Sequence, residues 1–341
     1  QTRRLPVLGR SGQALEVVDE LTINPDQVRI WTFEGPDPFE QAGVWRAADG
    51  QPLREDAFRT VDGRPVSLDA DFMAPFMRAV ADTVRSVRED WLLFAELDPF
   101  EAGMGHGFPP GMPARTVNAN HWYDARTLVT KTFDPEFDAE RLRGRYLREL
   151  SRIRAHGEAL DAPTLIGEFG IPYDLNGGEA YERWADGKRD VWDAHERALS
   201  LMYDAIDELG LSSTQWNYTA SNRNDLRIGD GWNQEDLSIY SQDQEGGRAV
   251  RGFARPYVRA AQGRLLAQRF DWRSGDFTAE IDVDPAVAAA TEVFAAPAWF
   301  PAGAELRCDD SAVEVSWAGD LVQITAHRPG PLRLGLVQRR Q

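Results

Sequence analysis

One arrangement constrains the fold more than any other: amphipathic helices alternate with short apolar runs that end in polar residues. Apolar side chains recur at helical spacing in three segments, and each segment precedes such a run. The helical segments are 68–87, 137–156 and 191–209, and the apolar runs are 91–96, 116–123, 164–168 and 213–218. Alternating helices and strands predict an α/β fold with a parallel sheet and right-handed crossovers.

Polar or aromatic residues stand at the end of every predicted strand, namely Glu96, His121, Glu168 and Trp216. In a (β/α)8 barrel the C-terminal ends of the strands build the active site. An open doubly wound sheet would instead carry a glycine-rich phosphate turn, and the sequence has none. The pattern therefore favours a (β/α)8 TIM barrel.

The pattern changes towards the C-terminus. After a basic segment at 247–266, which we interpret as a last helix, short alternating runs follow at 277–283, 312–317, 321–326 and 332–337. Such runs are typical of antiparallel strands. We predict two domains: residues 1–266 form a partial barrel with a long irregular N-terminal insertion, and residues 267–341 form a small C-terminal antiparallel β-sandwich.

Composition excludes several classes of function. The 341 residues include 38 Lys and Arg against 55 Asp and Glu, a formal charge of -17, which would repel nucleic acid. Cys308 is the single cysteine, and no Cys/His spacing predicts a metal site. No stretch approaches the roughly 20 apolar residues of a membrane span, so a soluble domain is expected. Cellular compartment and oligomeric state stay open.

Glu168 is the candidate nucleophile of a retaining glycoside hydrolase. Such enzymes place two carboxyl groups about 5 to 5.5 Å apart, one as nucleophile and one as acid and then base. Glu168 stands between Gly167 and Gly170, where missing Cβ atoms let a sugar ring and neighbouring strands approach closely. The alternative for this glutamate is a structural ion pair.

Further candidates lie on the neighbouring strands. His121 and Tyr123 are two residues apart, so they share a strand face and are placed to orient Glu168 by hydrogen bonds. Trp216 offers a flat platform for a pyranose ring. The turn at 229–236 concentrates polar groups and an aromatic residue. Each candidate has a structural alternative. His121 could be a structural histidine, Trp216 could be a core residue, and the turn at 229–236 could be a solvated loop.

Together these residues resemble glycoside hydrolase family 5. The matching motifs are Leu165-Ile-Gly-Glu-Phe-Gly170 for the nucleophile strand, His121-Trp-Tyr123 for the preceding strand and Trp216 for the following one. The endoglycoceramidase and steryl-glucosidase branch is most similar. Its features resemble Trp216-Asn-Tyr218, Gly229 to Ile239, Arg255-Pro-Tyr257, the insertion around Gly43-Val-Trp-Arg46 and the C-terminal β-sandwich.

The resemblance implies retaining hydrolysis of a β-glucosidic bond in a glycolipid, either a glycosylceramide or a steryl glucoside, without a cofactor. Glu168 would form the glycosyl-enzyme intermediate, with His121 and Tyr123 as further catalytic residues. The substrate-binding candidates are Trp216, Asn217, Glu96, Trp232, Asn233 and Glu235. The aglycone and the sugar stay open.

One part of the family pattern is missing. The acid/base glutamate of the family follows an asparagine in an Asn-Glu-Pro motif on the fourth strand, and this motif does not occur here. Glu34 and Glu96 are the nearest candidates, and neither follows an asparagine. If Glu168 lies on the seventh strand, then His121 lies on the sixth and Glu96 on the fifth.

This strand count predicts that strands one to four precede Gln1, and that the chain is an N-terminally truncated enzyme, inactive on its own. The structure should then show about four barrel strands plus the β-domain. Eight closed strands would contradict this and make Glu96 the leading acid/base.

Two alternatives stay open for the function. One is an endo-β-glucanase of the same family, and the other is a non-catalytic carbohydrate-binding barrel that lacks the acid/base. Carbohydrate or glycolipid is the expected partner. Peripheral contact with lipid is a further expectation, because an apolar access surface is offered by Phe100, Met104, Phe108 and Met112.

Overall fold

The computed structural model describes residues 3–11, 14–28, 34–54, 56–98, 102, 105–227 and 235–339. The chain divides into two compact units. The first comprises residues 1–80 and 109–111, and the second comprises residues 81–108 and 112–341. The polar ends of the predicted strands all fall in the second unit.

The first unit begins with a long β-hairpin. Strands β1 (Arg3–Ser11) and β2 (Ala14–Ile23) pair antiparallel. The prediction of an irregular N-terminal segment is therefore wrong for these residues. The apolar residues Leu15, Val17, Val18 and Leu21 do not alternate with the charged residues, so the local spacing does not predict a strand here.

Short elements make up the rest of this unit. They are helix α1 (Pro38–Gln41), strands β3 (Trp45–Arg46), β4 (Gln51–Pro52), β5 (Thr60–Val61) and β6 (Arg64–Pro65), and a π-helical turn (Leu68–Met73). The Asp37 side chain caps α1 by accepting hydrogen bonds from the backbone N–H groups of Phe39 and Glu40. The π-helical turn leads into α2 (Ala74–Val87).

Four parallel strands organise the second unit: β7 (Leu93–Ala95), β8 (Thr116–Asn118), β9 (Leu165–Phe169) and β10 (Ser212–Gln215). Strand β7 pairs with β8, and β9 pairs with β10. A parallel bridge from Asn118 to Thr164 joins the two pairs, so the strands follow one another in chain order. The number of parallel strands in the described residues matches the expected four.

Helices connect and cover these strands. They are α3 (Ala125–Thr130), α4 (Pro135–Ala159), α5 (Leu175–Ala185), α6 (Asp193–Glu208) and α7 (Val250–Phe253). The predicted inner face of α4 is buried, at Leu142, Tyr146, Leu150 and Ile153. Burial of one such side chain stabilises the fold by about 1.5 to 3 kcal/mol, so α4 contributes a large part of this core.

Helix α2 differs from its prediction. Its sequence predicts one continuous apolar face, but Phe72 in the preceding turn, Phe76 and Val87 are exposed, whereas Met77 is buried. The small residues Ala74 and Ala81 are also buried. The periodicity predicts the helix correctly but does not identify all of its buried residues. Which side is buried depends on the elements that pack against the helix.

The C-terminal region is a β-sandwich of eight antiparallel strands. They are β11 (Tyr257–Ala260), β12 (Gly263–Phe270), β13 (Phe277–Val283), β14 (Thr291–Phe294), β15 (Ala304–Cys308), β16 (Glu314–Ala318), β17 (Leu321–Thr325) and β18 (Gly330–Gln338). One sheet has the order β11-β14-β17-β16, and the other has the order β12-β13-β18-β15. Their inner faces enclose one apolar core.

The start of the sandwich corrects the sequence analysis. The helix predicted over 247–266 is confined to α7, and the following residues form β11 and β12. Strand β12 crosses the predicted domain boundary at residue 267. Strand β12 pairs with β13 through backbone hydrogen bonds, although its basic sequence resembles that of a surface helix.

No helix within the described ranges combines the length and apolar character that crossing a membrane requires.

Candidate active site

Parallel pairing brings the polar ends of the four strands to one edge. The pairing continues past the assigned strand ends, since Ala119 N donates to Ala95 O at 2.8 Å and Trp122 N donates to Glu168 O at 2.8 Å. Trp216 N likewise donates to Phe169 O at 2.9 Å. The residues predicted to form a site therefore lie on adjacent strands.

Glu96, His121, Tyr123 and Glu168 form one contact network, which we call the carboxylate cluster. The imidazole of His121 lies between the two carboxylates. Its Nε2 is 2.6 Å from Glu96 Oε2, and its Nδ1 is 3.4 Å from Glu168 Oε2. Tyr123 Oη donates a hydrogen bond of 3.0 Å to the same Glu168 oxygen. The structure thus joins the three residues predicted to be catalytic, together with Glu96.

The two oxygens of Glu168 differ in their surroundings. Oε2 is held by both His121 and Tyr123, whereas no hydrogen bond or ion pair from a described residue reaches Oε1. The side chain is 27% exposed. No Lys or Arg in the described ranges pairs with Glu168, which disfavours a structural ion pair. One oxygen fixed and one oxygen open is the arrangement of an oriented nucleophile.

The two glycines beside Glu168 are required by backbone packing. A Cβ atom at Gly167 would lie under 3.0 Å from Ala119 O, and one at Gly170 would lie under 3.0 Å from Trp216 O. Both clashing atoms are backbone oxygens, which cannot move aside as a flexible side chain can. The glycines therefore let β9 approach the chain on either side of it.

Two buried asparagines, which the sequence analysis did not select, hold the strand ends in register. Asn120 Oδ1 accepts a hydrogen bond of 2.6 Å from Leu97 N, next to Glu96. Asn118 Nδ2 donates to Ile153 O at 2.8 Å. Both side chains are fully buried. Their spacing of two in Thr116-Val-Asn-Ala-Asn120 is the only sequence signal that they share a strand face.

The predicted substrate-binding residues are divided. Trp216 is half-buried at the end of β10, and the peptide bond between Trp216 and Asn217 is cis. Asn217 N donates to Leu237 O at 3.1 Å, and Asn217 O accepts from Ile239 N at 2.9 Å. Segment 235–239, which begins at half-buried Glu235, therefore returns to this strand end. Trp232 and Asn233 lie outside the described residues.

A buried ion pair anchors this returning segment. Arg248 and Asp236 are both buried and hydrogen-bonded to each other, and Tyr181 Oη donates to Asp236 Oδ2 at 2.5 Å. Arg248 Nε also donates to Ser238 O at 3.1 Å, and its guanidinium lies 4.4 Å from the Tyr173 ring centre. Sequence reasoning missed this pair because nothing local marks Arg248 as buried.

A neutral histidine, His195, packs next to the Arg248–Asp236 ion pair. His195 is buried, and burial lowers its pKa to about 3, so the ring remains uncharged beside Arg248. Its Nε2 lies 3.0 Å from Tyr173 O, to which it donates when protonated there. Tyr173 N in turn donates to Asp236 O at 2.6 Å. The loop that carries Glu235 is thus fixed from two sides.

The remaining candidates differ in exposure, and two of them have no described position. Glu34 is exposed in the first unit, and Phe108 and Met112 are half-buried. Phe100 and Met104 fall outside the described residues. The described part of the chain contains no group of three or more His, Cys, Asp or Glu side chains that could hold a metal ion.

Comparison with known families finds one match. Residues 255–331 match the glycoside hydrolase family 5 C-terminal domain. This range covers most of the sandwich and begins before the predicted boundary at residue 267.

Curated relatives extend the similarity to the α/β region. A glucosylceramidase of Cryptococcus neoformans is 26% identical over 81% of this chain and 42% of its own length. An ergosteryl-beta-glucosidase of Saccharomyces cerevisiae is 26% identical over 38% of this chain and 19% of its own length. The chain spans less than half the length of these relatives.

Solved structures with the same fold include Cryptococcus neoformans sterylglucosidase 1. It matches with a TM-score of 0.75 and 21% identity, over 99% of this chain and 57% of that one. Endo-glycoceramidase II from Rhodococcus sp. matches with a TM-score of 0.56 and 18% identity, over 83% and 57% of the two chains. Residues 255–331 thus match the C-terminal domain of glycoside hydrolase family 5, and the chain as a whole is similar to glucosylceramidases and a sterylglucosidase.

Proposed function

We propose that this chain belongs to a retaining β-glucosidase that cleaves glycolipids, with Glu168 as its nucleophile. The observation that carries the proposal is the asymmetry of the Glu168 carboxylate. Its Oε2 is held by His121 and Tyr123, whereas its Oε1 accepts no hydrogen bond and forms no ion pair with a described residue. A carboxylate oriented in this way at the ends of parallel strands suits attack on an anomeric carbon.

The proposed reaction has two steps. Glu168 Oε1 attacks the anomeric carbon, and the bond to the aglycone oxygen breaks as an acid protonates that oxygen. Water then hydrolyses the glycosyl-enzyme ester, and the same residue, now acting as a base, takes the proton from the water. Tyr123 and His121 hold Oε2 throughout, which reduces the reorganisation that Glu168 requires.

The relatives support both the mechanism and the substrate class. Endo-glycoceramidase II from Rhodococcus sp. has been captured as a lactosyl-enzyme intermediate and as a complex with ganglioside GM3. The curated relatives are named for glucosylceramide and ergosteryl glucoside hydrolysis. We therefore propose a β-glucoside with a lipid aglycone, either ceramide or a sterol.

For the fold, we propose that β7 to β10 are four consecutive strands of a (β/α)8 barrel. The outer edges of β7 and β10 pair with no described strand. The similar structures are longer than this chain, which covers 57% of sterylglucosidase 1. In this arrangement Glu96, His121 and Glu168 lie on the fifth, sixth and seventh strands.

The acid/base carboxyl is assigned to no residue of this chain. Glu96 contacts His121 Nε2 at 2.6 Å, and the imidazole ring separates its carboxylate from Glu168. We propose instead that Glu96 positions His121, which in turn positions the nucleophile. A proton donor to the leaving group would have to reach the opposite side of the glycosidic bond from Glu168.

Covalent labelling of the full-length protein tests the nucleophile. An activated 2-deoxy-2-fluoro-β-glucoside should form a stable ester, and mass spectrometry of the peptides should locate it on Glu168. The Glu168→Gln protein should take up no label. Glu89→Gln makes the same change at an exposed residue and should label normally. A label on another carboxylate would refute the assignment.

A substrate panel tests the aglycone. We expect the full-length protein to hydrolyse glucosylceramide or a steryl glucoside faster than a cellooligosaccharide of equal sugar concentration. Preference for the cellooligosaccharide would instead identify an endo-β-glucanase. Binding of a β-glucoside without turnover or labelling would identify a carbohydrate-binding protein.

A further inference from the structure

A cavity of about 530 Å³ lies between helix α6 and strand β12. Its walls are formed by Arg197 and the C-terminal end of α6, by Arg143 of α4, by Arg255, and by residues 267–273. None of the residues of the carboxylate cluster lines it. The cavity is therefore distinct from the proposed glucosidase site.

Five arginines and four carboxylates surround this cavity, and all four carboxylates are engaged. Arg255 Nη2 donates to Asp204 at 2.8 Å and to Asp207 at 3.0 Å, while Arg143 pairs with Glu208. Asp271 accepts hydrogen bonds from the backbone N–H groups of Arg273 and Ser274, which hold its pKa below the usual value. The acidic groups thus already have partners.

Three arginines at the cavity lack such a partner. Within the described ranges, Arg197, Arg269 and Arg273 form no salt bridge, although each lines the cavity. Arg197 is half-buried, and its guanidinium lies 5.4 Å from the Trp272 ring centre. Burial lowers the pKa of Arg197, because its charge loses hydration that no ion pair replaces.

Two buried donors at the same cavity also lack acceptors. Arg255 is almost fully buried, and its Nε has no hydrogen-bond partner among the described residues. Trp272 is half-buried, but its Nε1 atom is buried and also lacks a partner in the described part of the chain. A buried donor without an acceptor is unfavourable and rare in folded proteins, so such donors mark a place where a ligand or water can supply an acceptor.

We propose that this cavity binds a phosphate or sulfate group, either free or as part of a larger molecule. Donors come from helix α6, from the segment before β11 and from the segment after β12. A tetrahedral oxyanion presents acceptors in several directions at once, and arginine is the side chain best suited to pair with it. The Trp272 indole N–H is one of these donors.

The same chemistry has two sources, a soluble phosphate compound and the phosphate of a lipid headgroup. This chain is strongly acidic, with a formal charge of -17. Non-specific attraction to anions is therefore disfavoured, and binding should depend on these particular arginines.

Calorimetric titration of the full-length protein tests the proposal, with inorganic phosphate and sulfate as probes and chloride at equal ionic strength. We expect saturable binding of phosphate or sulfate. The double substitution Arg197→Gln and Arg273→Gln should weaken it about tenfold or more, since two charged donors are lost. Trp272→Phe keeps a ring, removes the N–H and should weaken it less.

Arg328→Gln is the matched control, because this exposed arginine of the sandwich forms no salt bridge in the described residues and does not line the cavity. It should bind the probes normally. Absence of saturable binding, or equal binding by the double variant and the control, would overturn the proposal.

Vesicle sedimentation distinguishes the two sources. Vesicles of neutral phosphatidylcholine and vesicles with added phosphatidic acid are compared for the original protein, the double variant and the control. Retention by phosphatidic acid that the double variant loses assigns a lipid headgroup. Binding of free phosphate without such retention assigns a soluble compound.

Discussion

The parallel strands and the C-terminal sandwich bury their side chains in different ways. Strand β13 alternates strictly, with Phe277, Ala279, Ile281 and Val283 inside and the residues between them more exposed. Strand β8 is buried at every position, including the polar residue Asn118. A strand buried on both faces can keep polar groups only if they are hydrogen-bonded, and here those bonds hold the site.

The two regions are therefore expected to differ in what they contribute, the sandwich to stability and the parallel strands to the candidate active site. The sandwich encloses one apolar core between two four-stranded sheets, whereas the α/β region places Glu96, His121 and Glu168 at the ends of short strands. Substitutions in the core of the sandwich should therefore alter stability, and substitutions at the ends of the parallel strands should alter turnover.

The largest effect is expected for Glu168→Gln in the full-length protein. Removal of the proposed nucleophile should lower kcat on the order of 10^4-fold, because the amide cannot form the glycosyl ester. Steady-state hydrolysis of an aryl β-glucoside measures it. Glu89→Gln should retain full activity. If Glu168→Gln kept more than about a tenth of the turnover, the functional assignment of the strand ends would fail.

Phe277→Ala should destabilise the sandwich by about 4 kcal/mol, because this fully buried ring would leave a cavity. Urea unfolding gives the change in the free energy of unfolding. Under conditions where the variant remains folded, its kcat should equal that of the original protein. A loss of kcat without a loss of stability would show that the two regions are not separable in this way.

Asp207 links α6 to the segments that begin the sandwich, through Arg255 and Gln268. Burial, only partly offset by Arg255, raises the pKa of Asp207 to about 6. The folded protein then holds a proton between about pH 4 and pH 6 that the unfolded chain has released, so the stabilising contribution is lost as pH rises through 6.

The measurement is the unfolding free energy of the original protein relative to Asp207→Asn at several pH values. This difference should fall by about 3 kcal/mol between pH 4 and pH 7, since Asn does not titrate. A difference that stays constant or grows over this range would contradict the raised pKa and the close packing behind it.

Gly170→Ala tests the close backbone approach near Glu168. The added Cβ would press on Trp216 O, so we expect a loss of about 2 kcal/mol in stability together with lower kcat. Gly144→Ala is the control, since its Cβ would meet only the flexible Arg148 side chain at 3.5 Å in a helix interior. That variant should gain about 0.5 to 1 kcal/mol. If Gly170→Ala and Gly144→Ala changed stability equally, the chain beside β9 would not be packed as closely as the structure indicates.

The smallest effect is expected for Glu96→Gln. The amide can still hydrogen-bond to His121 but loses the charge, so kcat should fall about tenfold with little change in stability. Kinetics of the aryl β-glucoside separate kcat from KM. A higher KM with unchanged kcat would assign Glu96 to substrate binding instead of to the positioning of His121.

Local sequence patterns were sufficient for the elements that depend on periodicity. The buried face of α4, the four strands and the order of polar residues at their ends were all predictable, because burial imposes a fixed spacing on helices and strands. The same reasoning missed the β1–β2 hairpin and placed a helix where β12 lies. In these segments the apolar and charged residues do not alternate regularly, so local spacing does not identify the strands.

The sequence by itself determined that Glu168, His121 and Tyr123 stand at the ends of neighbouring strands. Only the tertiary structure decided that His121 bridges two carboxylates and that Arg248 is buried against Asp236. It also decided that three arginines with no salt bridge in the described residues line one cavity. The reason is physical. Periodicity is a property of neighbouring residues, whereas desolvation and the choice of an ionic partner depend on groups that the chain brings together from distant positions.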